Sequence, residues 1–441
     1  MFEREKYLNQ LINKKGNHLV KLITGMRRCG KSFLLNDIFY KWLLDNGIDS
    51  KHIIKFAFDS EEDIIKLDKY LPDEPTVLNV GNQKLINGRK FILYIQDLTK
   101  ESGDYYFLLD EIQLLNDFVR VLNGLIRHSN YDVYVTGSNS RFLSSEVDTE
   151  FGGRATRIHL LPLSFKEYLS GINIEKRDAL DTYIRYGGIP LVGLEHDDEE
   201  KASLALSIYK ETYIKDIKER HPTIDTNKLD ETIRVIASMI SSPINPTKIE
   251  NTFNSTYNIK LSNDAISNYI NWFEESYLIN KVLRYNVKGR EYIGSPYKIY
   301  FEDIGIRNAI LNFREIDEAD LIENIVYNEL RYRGFSVDVG VVRLKEKTNR
   351  IDKNGNAIYS DVDTEVDFVA NKGGKIYYVQ VALAIPTLEK KEQEYKPIRN
   401  IPDSFKKVII VKEEGKHYYT EEGFLRMSLL DFLTNDDSLD W

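Results

Sequence analysis

Eight residues near the N-terminus have the types and spacing for phosphate chemistry. Gly25-Met26-Arg27-Arg28-Cys29-Gly30-Lys31-Ser32 fits GxxxxGK[ST] in full. The glycines allow backbone angles that aim successive N–H groups inward at phosphate oxygens. Lys31 then reaches the β and γ phosphates, and Ser32 offers a hydroxyl to Mg²⁺. Such a loop needs an acidic partner at the tip of a neighbouring strand, and Asp110-Glu111 follows the apolar run Tyr105 to Leu109 directly. Asp110 is placed to hold Mg²⁺ through water, and Glu111 to orient or deprotonate an attacking water. A third run, Val133 to Val135, ends in Thr136-Gly137-Ser138-Asn139, where a polar side chain would reach the γ-phosphate. Arg154, in a Gly-Gly-Arg setting, has the chemistry to complete a phosphate site in cis or across a subunit boundary. Taken alone, it is an ordinary surface arginine.

The surrounding elements fit this purpose. HLVKLITG reads as a buried strand ending at Gly25, with Leu19, Val20, Leu22 and Ile23 as its apolar run. After the loop, Phe33, Leu34, Leu35, Ile38, Phe39, Trp42 and Leu43 recur at helical spacing up to Gly47. The loop thus sits between a strand and a helix N-terminus, whose dipole favours an anion. Its variable positions act through their backbone N–H groups, so Arg27, Arg28 and Cys29 are compatible with phosphate binding. A thiol at a helix start beside arginines could also have a lowered pKa; the simpler reading of Cys29 is a small tolerated residue.

At 441 residues the chain is too long for one ordinary core, which predicts two or three domains. Hydrophobic residues make up 42% and charged residues 29%, a globular balance. No uninterrupted apolar stretch approaches the roughly 18 residues of a membrane helix, and MFEREKYLNQ lacks the apolar core of a secretory signal. A single cysteine excludes an internal disulfide framework and a cysteine-based zinc site. The expectation is a cytoplasmic protein with no membrane contact. Its net charge of -9 means that any nucleic-acid contact comes from a local basic patch.

The order GMRRCGKS, LLDEIQ, TGSNS and GRATRIHLLPLSFKEYL resembles a widespread group of bacterial and archaeal AAA-type ATPases. The likeness continues through YGGIPLV, YIKDIKERH and YKIYFEDIGIRNAI, which look like that group's C-terminal region of unknown function. The resemblance implies ATP binding with Mg²⁺, a sensor role for Asn139 and a charge-stabilising role for Arg154. It also makes the arginines inside the loop a family habit.

The expected architecture is α/β: a P-loop ATPase domain with a parallel sheet over residues 1–195, a helical winged-helix segment over 196–300, and a small α/β domain over 301–441. The acidic break HDDEEK opens one long amphipathic helix. Three shorter helical runs and a hairpin with VKGRE at its tip follow, with Ser262 or Asn263 capping the third run. In a winged helix the third helix contacts DNA, and Lys288 and Arg290 on the wing touch phosphate. The third run SNDAISNYINWF carries no Arg or Lys, a poor composition for a polyanion.

Further on, EVDFVANKGGKIYYVQVALA reads as strand, Asn-Lys-Gly-Gly turn and strand. This resembles the PD-(D/E)xK nuclease fold. Asp367 takes the place of the first acid and Glu329 that of an auxiliary one, but Gln380 stands for the second acid and Ala382 for the lysine. Nuclease activity is therefore not expected of this domain.

The function expected is Mg²⁺-dependent ATP hydrolysis driving a conformational switch. Two further classes stay open: a DNA-associated ATPase, and a signalling-type NTPase that assembles with protein partners or with itself.

Overall fold

The computed structural model describes residues 2–81, 83–137, 149–257, 261–314, 317–351 and 357–441. They form two compact units, Phe2–Pro162 and Leu163–Trp441. The division falls earlier than the expected boundary near residue 195. The reason is local: the Tyr183 hydroxyl donates to the Leu163 carbonyl at 2.7 Å, and Gly188 N–H donates to Asp303 at 2.7 Å. The segment after Pro162 is thereby bonded to residues far along the chain.

The first unit is built on β1 (Val20–Thr24), β2 (Ile53–Ala57), β5 (Tyr105–Asp110), β6 (Tyr131–Thr136) and β7 (Ala155–His159), in the order β2-β5-β6-β1-β7. Every pairing is parallel. β1 and β5 are buried along their whole length, as expected for strands covered by helices on both faces. On one face Leu22, Phe56, Phe107 and Val135 pack against Phe91 and Leu122 of the helices Gly88–Leu98 and Phe118–Leu125. On the other, the Tyr134 ring meets Phe39 at 4.6 Å between centroids. Phe39 belongs to the helix after the loop, which is α over Lys31–Phe33, π-type over Leu34–Phe39 and α again over Tyr40–Asp45. A two-stranded ribbon, β3 (Val77–Val80) and β4 (Gln83–Ile86), lies outside this sheet.

The second unit opens with helices. The long helix read after HDDEEK runs through Asp198–Ser207, a π-type stretch Ile208–Ile214 and Lys215–Arg220. The three helical runs are Thr226–Ser238, Pro246–Thr252 and Asn263–Glu275; Ser262 caps the last by accepting from Ala265 N–H. The hairpin follows as β8 (Ile279–Asn286) and β9 (Glu291–Phe301), antiparallel.

That hairpin is not separate from what comes next. Arg284, Tyr285 and Asn286 of β8 pair in parallel with β10 (Ser336–Ile351), so the hairpin is the edge of an eight-stranded sheet. The sheet continues through β11 (Ala357–Lys372), β12 (Lys375–Ala382), β13 (Lys406–Val411), β15 (Leu425–Ser428) and β14 (Tyr418–Tyr419). Gly373 and Gly374 make the tight turn between β11 and β12 with φ of 58° and 86°, the left-handed geometry of a two-residue hairpin loop.

Candidate functional site

The loop Gly25–Ser32 lies at the carboxyl end of β1, the end where ligands bind in open parallel sheets. Gly25 cannot be replaced without movement: a Cβ there would stand 2.2 Å from the Leu160 carbonyl oxygen. Gly30 has φ 98°, a left-handed conformation, and immediately precedes the helix at Lys31. The Lys31 ammonium is folded over the loop, donating to the carbonyls of Gly25 at 3.0 Å and Met26 at 2.8 Å. Ser32 is exposed at the helix start, and Met26 is buried beneath the loop. The arginines face outward, Arg28 fully and Arg27 in part, and Arg28 itself takes a left-handed φ of 67°.

Cys29 is not a reactive thiol. It is fully buried, its Sγ donates to the Leu160 carbonyl at 3.4 Å, and its own carbonyl accepts from Arg4 at 2.8 Å. Arg4 also donates to the Leu161 carbonyl at 2.7 Å, fastening the loop's underside to the chain after β7.

Asp110 ends β5, two strands from β1 with β6 between them. It is 7% exposed. Its Oδ1 accepts the Thr136 hydroxyl, and its Oδ2 lies 3.5 Å from the amide of Asn36, on the helix that follows the loop. The Thr136 oxygen also accepts the Glu111 N–H at 3.1 Å. Glu111 is held at a left-handed φ of 51°, a conformation that costs on the order of 1–3 kcal/mol for a non-glycine residue. The Gln113 amide donates to its carboxylate. At the strand tip Thr136 is thus bonded to the Asp110 carboxylate and to the Glu111 N–H. Asn139 lies outside the described residues.

Sequence reasoning missed Asp59, which follows β2 next to Asp110: Phe58 N–H donates to the Asp110 carbonyl at 3.1 Å. The Asp59 side chain opens to solvent. Even so, its carboxyl is pushed above the ordinary value, first by desolvation, then by Glu111 and more weakly by Asp110, with Arg27 acting in the opposite sense. FAFDS, an apolar strand ending in an acid, was the available signal. Three carboxylates and Arg27 therefore share the carboxyl ends of β2 and β5.

Arg154 is not brought to this site. Its carbonyl accepts from Val20 N–H at 2.9 Å, at the amino end of β1, whereas Gly25 follows the other end. At roughly 3.3 Å per residue the two ends are about 16 Å apart. Arg154 instead lines a groove of about 960 Å³ with Arg120, Asn123, Arg127 and Glu150. This position does not support the cis form of the arginine expectation.

In the second unit the positions compared with a nuclease lie on β11, on β12 and on the helix Glu318–Tyr332, with Asp367 of β11 beside Gln380 of β12. Glu329 is paired with Arg333 at 2.7 Å. Gln380 donates to Glu394 at 2.9 Å, and Ala382 is packed into an apolar cluster with Tyr378, Tyr395 and Ile398. Asp367 is buried and accepts Val381 N–H at 2.7 Å. On the wing, Lys288 donates to the Arg343 carbonyl of β10 at 3.1 Å.

A parallel α/β sheet with a glycine loop at one strand end, and paired acids two strands away, is the arrangement of a P-loop fold. Residues 17–169 match the family described as an AAA domain, and residues 177–317 match a domain of unknown function (DUF8612). An uncharacterized protein of Haemophilus influenzae is 33% identical over 428 residues, covering 96% of this chain and 95% of that one. The protein belongs to the same family as this relative. An uncharacterized protein of Methanocaldococcus jannaschii is 27% identical over 352 residues, 76% of this chain and 71% of the other. Among solved structures, the Walker-type ATPase PABY2304 of Pyrococcus abyssi is similar at 16% identity and a TM-score of 0.48, over 70% of this chain and 96% of that one. No helix among the described residues is long and apolar enough to cross a membrane.

Proposed function

We propose that the protein binds ATP with Mg²⁺ and hydrolyses it, and that the nucleotide state switches its conformation. The observation that carries this reading is the shared location, at the carboxyl ends of β1 and β5, of the loop Gly25–Ser32 and the pair Asp110-Glu111, with Asn36 of the helix after the loop reaching Asp110 and Thr136 tying the two acids together. The donor set suits the ligand. The Gly25 backbone packs too closely against the Leu160 carbonyl for a Cβ, which fixes the loop in place, and a hydroxyl with carboxylates suits a hard divalent cation. Ser32 and Asp110 would hold the metal, which neutralises charge on the phosphates when bound. Lys31 leaves its two loop carbonyls to take up a phosphate charge. Glu111, fixed through its N–H, orients the attacking water. The loop backbone from Gly25 through Met26, Arg27, Arg28 and Cys29 to Gly30 receives the phosphate oxygens.

Arg154 contributes to another copy's site, since its position at the amino end of β1 supports action across a subunit boundary. Within this reading the C-terminal unit, whose segments 196–300 and 301–441 we take as winged-helix-like and nuclease-like, senses or transmits the switch without cutting nucleic acid.

The test compares phosphate release, with and without DNA, for wild type, Lys31→Ala and Glu111→Gln. Wild type hydrolyses ATP, Lys31→Ala loses binding, and Glu111→Gln binds but turns over about 100-fold more slowly. A wild type that neither binds nor hydrolyses ATP refutes the proposal. A rate and an affinity that DNA leaves unchanged remove the DNA-linked form and leave assembly with protein partners.

A further inference from the structure

The first unit carries a groove that ATP chemistry leaves unused. It has a volume of about 960 Å³ and lies between the ribbon β3–β4, which contributes Val80 and Leu85, and the helix Phe118–Leu125. A parallel bridge from Ile86 to Leu115 holds the ribbon beside the start of that helix. No residue of the loop Gly25–Ser32 lines the groove.

Its two walls differ in chemistry. The ribbon side is apolar, with Val80 47% exposed. The helix side presents Arg120 and Arg127, both exposed, and Arg154 is a third arginine in the lining. Two acids, Asp117 and Glu150, share the groove. Asp117 accepts from the Asn116 amide at 3.3 Å. Among the described residues, none of the three guanidiniums has an ion pair or a hydrogen bond. In a chain of net charge -9 acids are plentiful, so arginines left unpaired on one concave face offer their charge to a partner.

Gly124 adds a second observation. It stands four residues after Arg120 and three before Arg127, hence on the same helix face. Its backbone is not left-handed, and a Cβ there would meet nothing within 4 Å. Glycine is disfavoured in a helix, and neither backbone angle nor packing within the chain calls for it here. Its missing side chain deepens the groove between the two arginines and lets another backbone approach.

The lining also selects its occupant. Among the described residues its one aromatic ring is Phe118, which is 7% exposed, so bases have no platform to stack on. An apolar wall opposite a guanidinium wall suits a chain with apolar side chains on one side and carboxylates on the other. An extended peptide has that character when the two types alternate, with same-side residues about 7 Å apart. Arg120 and Arg127 are seven residues apart, about 10 Å along a helix, so successive same-side acids reach both. We propose that this groove binds an extended acidic–apolar peptide segment of a partner protein, its carboxylates on Arg120 and Arg127 and its apolar side chains against Val80. The site is separate from the glycine loop and does not depend on ATP hydrolysis.

The test selects random octapeptides, displayed on phage, against the immobilised full chain. One recovered peptide is then labelled with fluorescein and its binding is read by anisotropy. The recovered sequences should alternate Asp or Glu with apolar residues. Arg120→Ser/Arg127→Ser should bind the labelled peptide about 10-fold more weakly or worse, and so should Gly124→Leu, which fills the floor of the groove. Circular dichroism checks that each variant is folded. Both arginines are exposed, so should Gly124→Leu not fold, the double variant decides alone. A selection that recovers no such pattern overturns the proposal, as does a labelled peptide that the double variant binds as tightly as wild type. A labelled oligo-dT strand bound by wild type and not by the double variant also overturns it, making the groove a nucleic-acid site. A wild-type dimer that the double variant dissociates overturns it too, since the occupant is then a second copy.

Discussion

Replacing Thr136 by valine keeps the shape of the side chain and deletes one hydroxyl, which the structure places between the two acids. That hydroxyl donates to the Asp110 carboxylate and accepts from Glu111 N–H at 3.1 Å, at a position fully removed from solvent. A hydrogen bond to a charged group is worth about 1.5–3 kcal/mol and a neutral one about 0.5–1.5. Because water cannot take the hydroxyl's place, Thr136→Val should destabilise the first unit by roughly 2–4 kcal/mol. The kinetic effect is more specific. Glu111 sits in a left-handed conformation that its N–H bond to Thr136 helps to hold. If it relaxes, a water-orienting carboxylate moves by an ångström or so, and such misplacement costs on the order of 100-fold in rate. The Thr136 hydroxyl bonds to Asp110 and to the Glu111 N–H rather than to Lys31, whose bonds go to Gly25 and Met26, so ATP affinity should change less than about threefold. Thr136→Ser keeps both hydrogen bonds and should retain a rate within about fivefold of wild type, losing only the packing of one methyl. The assays are Mg²⁺-dependent phosphate release for kcat and KM, and denaturant unfolding for stability. The reasoning is refuted if folded Thr136→Val keeps a wild-type kcat, or if Thr136→Ser falls as far as the valine variant.

Three further outcomes follow from particular contacts. Gly25→Ala forces a Cβ to 2.2 Å from a backbone oxygen that cannot swing away; it should abolish nucleotide binding, read by equilibrium dialysis, and wild-type affinity in this variant would contradict the geometry. Arg154 stands at the far end of β1 from its own loop, so mixing Arg154→Ala with Lys31→Ala should restore phosphate release that neither gives alone. A mixture no better than the sum of its parts, together with a fully active Arg154→Ala, would make Arg154 a surface residue.

Asp303 is fully buried, and burial raises its carboxyl from 3.8 to about 6 against the pull of the Gly188, Ile306 and Gly305 N–H groups. With the folded value above the unfolded one, its contribution to stability is complete below about pH 4 and is lost as pH rises through 6. The gap amounts to roughly 3 kcal/mol. Asp320, raised to about 6 by burial, and Asp367 tilt the same unit in the same direction. The comparison of wild type with Asp303→Asn therefore isolates Asp303: the wild type should gain more stability than the variant between pH 7 and 5, and equal slopes would refute the assignment.

The N-terminal reading rested on features local in the chain. A strand, an eight-residue turn and a helix are contiguous, and the backbone freedom of Gly25 and Gly30 is a property of the residues themselves, so GMRRCGKS was legible in one dimension. The same holds for Asp110-Glu111 after its apolar run, for the Ser262 cap and for the glycine turn between β11 and β12. Strand order decided the rest. Parallel pairing brings Asp59 beside Asp110 from about fifty residues away, and it sends Arg154 to the amino end of β1, although in sequence Arg154 follows the TGS tip closely. In the second unit, the pairing of β8 with β10 merges a hairpin and a later sheet that composition read as two modules. It also helps gather Lys298 with its ion-pair partners Glu323 and Glu365, none of which belongs to a common motif. Sequence determined which groups were available for phosphate chemistry; sheet order and the direction of each strand decided which of them meet, because hydrogen-bonded pairing fixes neighbours across the chain that no local spacing encodes.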